Sequence, residues 1–215
     1  MERIVELNRG PFLPAQRPIE PATPYEGTVL DVRPAEAFAA GHVPGALNVP
    51  VSGNAFGTRA GFVLRSDEPV VLYAASPEEA TLAGLRLRAV GFLELAGYLT
   101  VAEETETFEP VAVEDLGGLL ESGEIDLIDV RESEERDAGY IPGSRHIPYR
   151  LLRAYGASVA NGRTIVTICE SGSRAAIAAS VLIAAGVDAR PVLGGGIADW
   201  ERRGGNMVEF RRCGG

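Results

Sequence analysis

The residues Cys169-Glu170-Ser171-Gly172-Ser173-Arg174 carry the makings of a covalent nucleophile. The cysteine directly follows an apolar, mostly β-branched run, Ile165 to Ile168, of the kind expected of a parallel strand buried on both faces. After it, a helix of small residues is predicted from about Ala175 to Ala185, ended by Gly186. In sheets of parallel strands, ligands bind at the carboxyl ends of the strands. A short loop running from such an end onto a helix N-terminus turns several backbone N–H groups toward one centre, and the helix dipole reinforces them. Such a nest binds anions. Gly172 permits the torsions the turn needs. A thiol held there ionises more readily, and Arg174 adds a full positive charge. The chemistry implied is attack by a thiolate and covalent storage of the transferred group, in two steps with ping-pong kinetics.

Each of these residues also has an ordinary structural use. Cys169 could be a buried thiol at a strand end. Arg174 either contacts the bound group or pairs with Asp129 or another carboxylate. Ser171 and Ser173 can donate hydroxyl hydrogen bonds, and Ser173 could equally be a helix N-cap. Glu170 is an odd neighbour for a thiolate that must meet an anion, because it raises the thiol pKa and repels a dianionic donor. Either it faces solvent and only its backbone N–H is useful, or it faces the mouth and favours a bulkier or cationic donor.

The elements that position this loop come from a duplication. Residues 29–50 read VLDVRPAEAFAAGHVPGALNVP and residues 127–148 read LIDVRESEERDAGYIPGSRHIP. At a constant offset they superpose Asp31 on Asp129, Arg33 on Arg131, Gly41 on Gly139, Pro44 on Pro142 and Pro50 on Pro148. After a small gap, Val70 to Tyr73 aligns with Ile165 to Ile168. Two units of a common domain size follow, joined by the acidic stretch Glu103 to Glu109. In the second, strands are expected at Ile125 to Asp129, Ile165 to Ile168 and Val187 to Val192. Helices are expected around Leu119-Leu120, from Ser133 to Ala138 and from Ile197 to Arg203. This alternation predicts an α/β fold: two tandem domains, each a mainly parallel sheet with helices on both faces.

Composition narrows the function further. The net charge is −10, which disfavours nucleic acid and anionic membranes as partners. No apolar run is long enough to span a bilayer, the first residues do not read as a signal peptide, and a cytoplasmic location is expected. All 20 basic residues are Arg, so lysine Schiff-base chemistry is excluded. Two cysteines and two histidines, His42 and His146, make no recognisable zinc spacing, and no metal or cofactor is expected. Cys213, in an Arg-Arg-Cys-Gly-Gly tail, reads as an uninvolved terminal thiol. His146, Trp200 and the two Asp-x-Arg pairs read as structural; the pairs recur in a copy that lacks the cysteine.

The segments LIDVRE, GYIPGSRHIP, CESGSRA and GGGIADWERRGG together resemble the rhodanese (sulfurtransferase) superfamily, and the resemblance covers nearly the whole chain. It implies a sulfurtransferase. Cys169 would carry sulfane sulfur as a persulfide, and Glu170, Ser171, Gly172, Ser173 and Arg174 would bind the substrate, chiefly through backbone amides. The donor would be thiosulfate or a low-molecular-weight persulfide, which a separate enzyme could supply, and the acceptor a thiol or cyanide. Tyr140 stands where the family usually has His. A domain over 1–102 would lack the nucleophile, since Ala74 and Glu79 replace Cys169 and Arg174, and the catalytic domain would span 108–215. The Asn8-Arg9-Gly10-Pro11 lead-in resembles rhodanese domains fused to persulfide dioxygenases, but the metal-binding half is missing and no dioxygenase activity is expected. Phosphatases and arsenate reductases similar in fold have Cys-x5-Arg, whereas the spacing here is Cys-x4-Arg, tighter and better matched to a single sulfur atom. The mercaptopyruvate-type Cys-Gly-Ser-Gly loop is absent. The rival from another class is a non-catalytic binding or sulfur-sensing module.

Overall fold

The computed structural model describes residues 18–209 apart from Pro24 and Asn54. The chain divides between Thr107 and Phe108 into two compact units. The first contains β1 (Thr28–Asp31), α1 (Ala35–Ala40), β2 (Leu47–Asn48), α2 (Phe56–Val63), β3 (Val70–Tyr73), α3 (Pro77–Ala89) and β4 (Leu95–Leu99). The second contains α4 (Leu116–Ser122), β5 (Ile125–Asp129), α5 (Ser133–Asp137), β6 (Arg145–His146), α6 (Tyr149–Tyr155), a 3-10 turn (Gly156–Val159), β7 (Thr164–Ile168), α7 (Ser173–Ala184), β8 (Ala189–Pro191) and α8 (Ile197–Arg202).

Each unit folds around one parallel sheet, ordered β2-β1-β3-β4 in the first and β6-β5-β7-β8 in the second. From β5 the chain steps outward to β6, then crosses back to β7 and on to β8. Right-handed crossovers in opposite directions place helices on opposite faces. On one face, Leu116 of α4 and Ile197 of α8 pack with Ile125, Leu127, Val166 and Ile168. On the other, α7 buries Ala175 through Leu182 without a break, against β7, β8 and α6. Ile165, Val166, Thr167 and Ile168 are therefore buried in succession, because β7 lies in the middle of the sheet and is covered on both sides.

Three local departures from the sequence reading have physical causes. Helix α7 starts at Ser173, not near Ala175. Gly172 is its N-cap with φ +91°, so Ser173 is already helical and does not cap it. Strand β8 covers only Ala189–Pro191, because the Val187 N–H closes α7 on the Leu182 carbonyl (3.0 Å). Helix α6 was not anticipated; it buries only Tyr149 and Leu152, too few apolar positions to stand out as a periodic pattern.

Each sheet is tied to the loop beside it by one fork. Arg131 Nε and Nη2 donate to Asp129 at 3.0 and 2.8 Å, and Nη2 also reaches the Gly139 carbonyl at 2.6 Å. Arg33 repeats this on Asp31 at 3.0 and 2.7 Å and on the Gly41 carbonyl at 2.8 Å. Both aspartates are fully buried. Removing one member strands a buried charge. Asp129→Asn should therefore lower unfolding stability by roughly 3–5 kcal/mol, read from denaturant titration. A loss below about 1 kcal/mol would show that the fork is not holding the sheet end.

Candidate active site

Cys169 sits one residue beyond the end of β7, and its residue is 1% exposed. Glu170, Ser171 and Ser173 are exposed, Gly172 is buried, and Arg174 is half-buried. The five candidate binding residues thus form a continuous turn from the nucleophile onto the first residues of α7. Among the described residues, the backbone N–H groups of Glu170, Ser171, Gly172, Ser173 and Arg174 have no hydrogen-bond acceptor. The first internal bond of this helix end runs from the Ala176 N–H to the Gly172 carbonyl at 2.9 Å. Five successive unengaged donors at the positive end of a twelve-residue helix are an arrangement that can hold an anion.

The loop is clamped from above. The Ile197 N–H donates to the Cys169 carbonyl at 3.0 Å. Gly196 lies so close that a Cβ there would stand 2.3 Å from the carbonyl oxygens of both Cys169 and Glu170. The Gly196 N–H is in turn held by Asp199 Oδ2 at 3.1 Å. Gly172 is packed similarly: a Cβ would come 3.2 Å from the Val192 carbonyl oxygen and 3.3 Å from that of Gly195. The glycines of the GGGIADW segment therefore let two backbones touch, which the motif alone did not reveal.

The loop arginine is an ion-pair partner, and the carboxylate is neither Asp129 nor a loop residue. Arg174 Nη1 and Nη2 meet Glu135 Oε2 and Oε1 at 2.5 and 2.6 Å. Glu135 Oε2 also accepts the Glu132 backbone N–H at 3.2 Å, which fixes the carboxylate to the start of α5. The Arg174 hydrogen bonds hold Glu135 below the usual carboxylate range. Arg174 is held above its ordinary value, first by those bonds, against burial, and then by charge attraction from Cys169 and Glu135. The cation, five residues after Cys169 on the same turn, is thus anchored on Glu135. Sequence reasoning missed Glu135. The spacing of Glu132 and Glu135 at a helix start was a visible signal, but it spoke for capping only.

A cavity of about 430 Å³ adjoins the loop. Its walls include Arg131, Glu135, Glu170, Ile197, Glu201 and Glu209. Glu170 faces it, with its side chain 48% exposed and 3.4 Å from Arg131 Nη1. Of the loop residues only Glu170 lines it, and with Asp129 offsetting Arg131 this mouth beside the loop is acidic overall.

The first unit shows the same geometry with its anion site closed. Ala74 replaces the cysteine, the Ala75 N–H is taken by Glu79 Oε2 at 2.6 Å, and the Glu79 N–H by Ser76 Oγ at 3.2 Å. Pro77 contributes no N–H. Arg33 Nη1, the counterpart of the Arg131 atom near Glu170, is filled by Glu104 at 2.5 Å, which also accepts from the Tyr73 hydroxyl at 2.5 Å. Burial first, then this bond, pushes the Tyr73 phenol up to about 12.

The residues read as structural have backbone partners. His146 Nε2 lies 2.9 Å from the Arg131 carbonyl oxygen, as Asn48 Nδ2 in the first unit lies 3.0 Å from that of Arg33. Tyr140 is bridged to Val208 and covered by the Arg136 guanidinium at 3.9 Å. Among the described residues there is no cluster suited to a metal ion and no helix long and apolar enough to cross a membrane. Cys213 and Asn8 to Pro11 lie outside the described residues.

Fold and loop together define a tandem pair of parallel α/β domains, the second presenting a strand-end cysteine at a helix N-terminus. The Rhodanese-like domain model matches residues 18–102 and again 112–203, and the chain belongs to that family. It is 31% identical over 113 residues to an uncharacterized protein of Synechocystis, across 53% of this chain and 63% of that one. The chain thus spans less than two thirds of that relative's length. Among solved structures it is similar to a rhodanese-related protein from Thermoplasma volcanium, at 29% identity, 47% of this chain, 98% of that one and TM-score 0.43. It is also similar to the human single-domain sulfurtransferase, at 28% identity, 44% of this chain, 96% of that one and TM-score 0.39. A third likeness is to thiosulfate sulfurtransferase from Pseudomonas aeruginosa, at 22% identity, 86% of this chain, 40% of that one and TM-score 0.40.

The clamp makes its own forecast. Gly196→Ala should push the peptide after Cys169 out of place, costing roughly 1–3 kcal/mol as overpacking does. Alkylation of Cys169 should slow with it, scored by peptide mass mapping. Unchanged stability and alkylation would mean the contact yields freely.

Proposed function

We propose that the second domain is a sulfurtransferase whose nucleophile is Cys169. The observation that carries the reading is the row of unengaged amides from Glu170 to Arg174 beside that sulfur, where the cysteine-free copy uses its own Glu79 carboxylate. A thiolate and the terminal sulfur of a persulfide are both anions, so the same donors serve the resting and the loaded states. With a persulfide donor, the Cys169 thiolate attacks the outer sulfur of R–S–SH. The donor S–S bond breaks with its electron pair on RS⁻, and Cys169–S–SH forms. An acceptor thiolate then takes that sulfur and regenerates the thiolate. With thiosulfate, the leaving group is sulfite and the enzyme product is Cys169–S–S⁻. Ser171, Gly172 and Ser173 would act through their N–H groups, and Arg174 as the cation beside the sulfur.

The acidic mouth argues for one donor class over the other. Thiosulfate, a compact dianion, must pass Glu170, Glu201 and Glu209, whereas a carrier-thiol persulfide spreads its charge over a larger molecule that can keep its carboxylates away from them. Its volume suits a small molecule. A separate persulfide-producing enzyme would supply such a donor. A stored persulfide and a free thiol fit a reducing, cytoplasmic compartment. The first domain, its anion site closed by its own side chains, would serve as a structural module.

Incubation with glutathione persulfide should add one sulfur atom to Cys169 by peptide mass mapping, and Cys169→Ser should remove both the adduct and the turnover. No adduct and no turnover with any donor would favour a binding or sensing module, and phosphate hydrolysis lost in Cys169→Ala would favour a phosphatase. Glu170→Gln should raise kcat/KM for thiosulfate roughly three- to tenfold while moving that for the persulfide less. Equal effects on both donors would sink the charge argument.

A further inference from the structure

Glu135 belongs to no part of the loop, yet it grips the loop's only cation with both oxygens, at 2.5 and 2.6 Å. A bidentate carboxylate–guanidinium pair fixes orientation as well as position. The carboxylate is fixed in its turn by the Glu132 N–H. Arg174 is therefore held from α5 on the turn that begins at Cys169, and charge attraction between the two supports a link.

The duplication separates this pair from the scaffold. The Asp-x-Arg fork is present in both units with the same bonds, so it does not depend on the cysteine. The Glu135–Arg174 pair is different. At the aligned positions of the first unit stand Ala37 and Glu79, and Ala74 stands for Cys169. Both members of the pair are missing from the copy that lacks the thiol. A pair needed only to join a helix to the loop after β7 would have work to do in either copy.

We infer that Glu135 is a positioning residue for sulfur transfer: it holds the Arg174 guanidinium in one orientation on the turn that starts at Cys169. The inference rests on reading Cys169 as the nucleophile, and it makes a prediction opposite in sign to simple electrostatics. A carboxylate near a thiol raises the thiol pKa, so deleting it should lower that pKa if nothing else moves. If Glu135 acts through Arg174, deletion frees the cation and the thiol pKa rises. The other charged groups on the surrounding elements include Glu170 on the loop, Asp129 at the end of β5 and Arg131 after it, Glu132 before α5 and Glu134, Arg136 and Asp137 on it, Arg150 and Arg153 on α6, and Asp199, Glu201 and Arg202 on α8. They are common to every variant below.

The test follows alkylation of Cys169 by iodoacetamide, a neutral reagent, as a function of pH in the full chain. Peptide mass mapping keeps Cys169 distinct from Cys213. The set is wild type, Glu135→Gln, Glu135→Ala, Arg174→Ala and the double Glu135→Ala/Arg174→Ala. Glu135→Gln retains an oxygen for the Glu132 N–H and so guards against loss of α5. Thermal melting checks that each variant is folded. The expected result is an upward shift of the titration midpoint by about one pH unit in both Glu135 variants and in Arg174→Ala, with the double variant no higher than Arg174→Ala. An unchanged or lowered midpoint in the folded Glu135 variants overturns the inference and leaves the nucleophile reading intact. So does an upward shift that adds fully to that of Arg174→Ala. A wild-type Cys169 that iodoacetamide reaches only after unfolding overturns the nucleophile reading itself, and the inference falls with it.

Discussion

The contact between Gly196 and the peptide that follows Cys169 is the constraint on which the site depends. A chain segment that brings a Cα over two carbonyl oxygens, and adds the Ile197 N–H to one of them, fixes the direction in which the loop leaves β7. With the carbonyls turned toward Gly196 and Ile197, the amides of residues 170–174 are left for something else. Gly172 at φ +91° then carries the chain directly into α7 without a side-chain cap. An ordinary Ser or Asp cap would satisfy one of the very donors that remain open. The second domain gives up side-chain capping at this helix and keeps its amide donors open.

The two units are an internal experiment on that choice. They share strand order, the Asp-x-Arg fork and the contact of a side-chain nitrogen, from Asn48 or His146, with the carbonyl of the fork's arginine. They differ at the helix that follows the third strand. Helix α3 has Ser76 as a conventional cap, Pro77 after it, and Glu79 folded back onto the Ala75 N–H. A carboxylate oxygen engages the Ala75 N–H there, where the corresponding donors of the other copy are unengaged. The first copy is therefore complete as a structure and closed as a site, and Glu104 closes its arginine as well.

Charge in the second unit is arranged in pairs around the thiol. The buried Arg131 is matched by Asp129, and Arg174 by Glu135, so neither cation is a free lure for small anions. Attraction for negative charge comes from backbone dipoles at short range, while the carboxylates of the mouth act at longer range. On the proposed sulfurtransferase reading, such a site would favour an anionic sulfur already delivered to the loop over a free anion arriving from solvent.

Much of this was open to reading along the chain. The constant offset between residues 29–50 and 127–148, the alternation of elements and the Cys-x4-Arg loop depend on local pattern, which a linear sequence carries directly. Short elements such as α6 escaped because they show too little periodicity, and the start of α7 because one torsion at Gly172 decided it. What only the tertiary structure decided were partners distant in sequence: Glu135 for Arg174, Gly196 for the Cys169 peptide, and Glu104 for Arg33. These contacts join residues 27 to 71 positions apart. Their pairing is set by how the sheet and its crossovers close in space, and no local propensity encodes it.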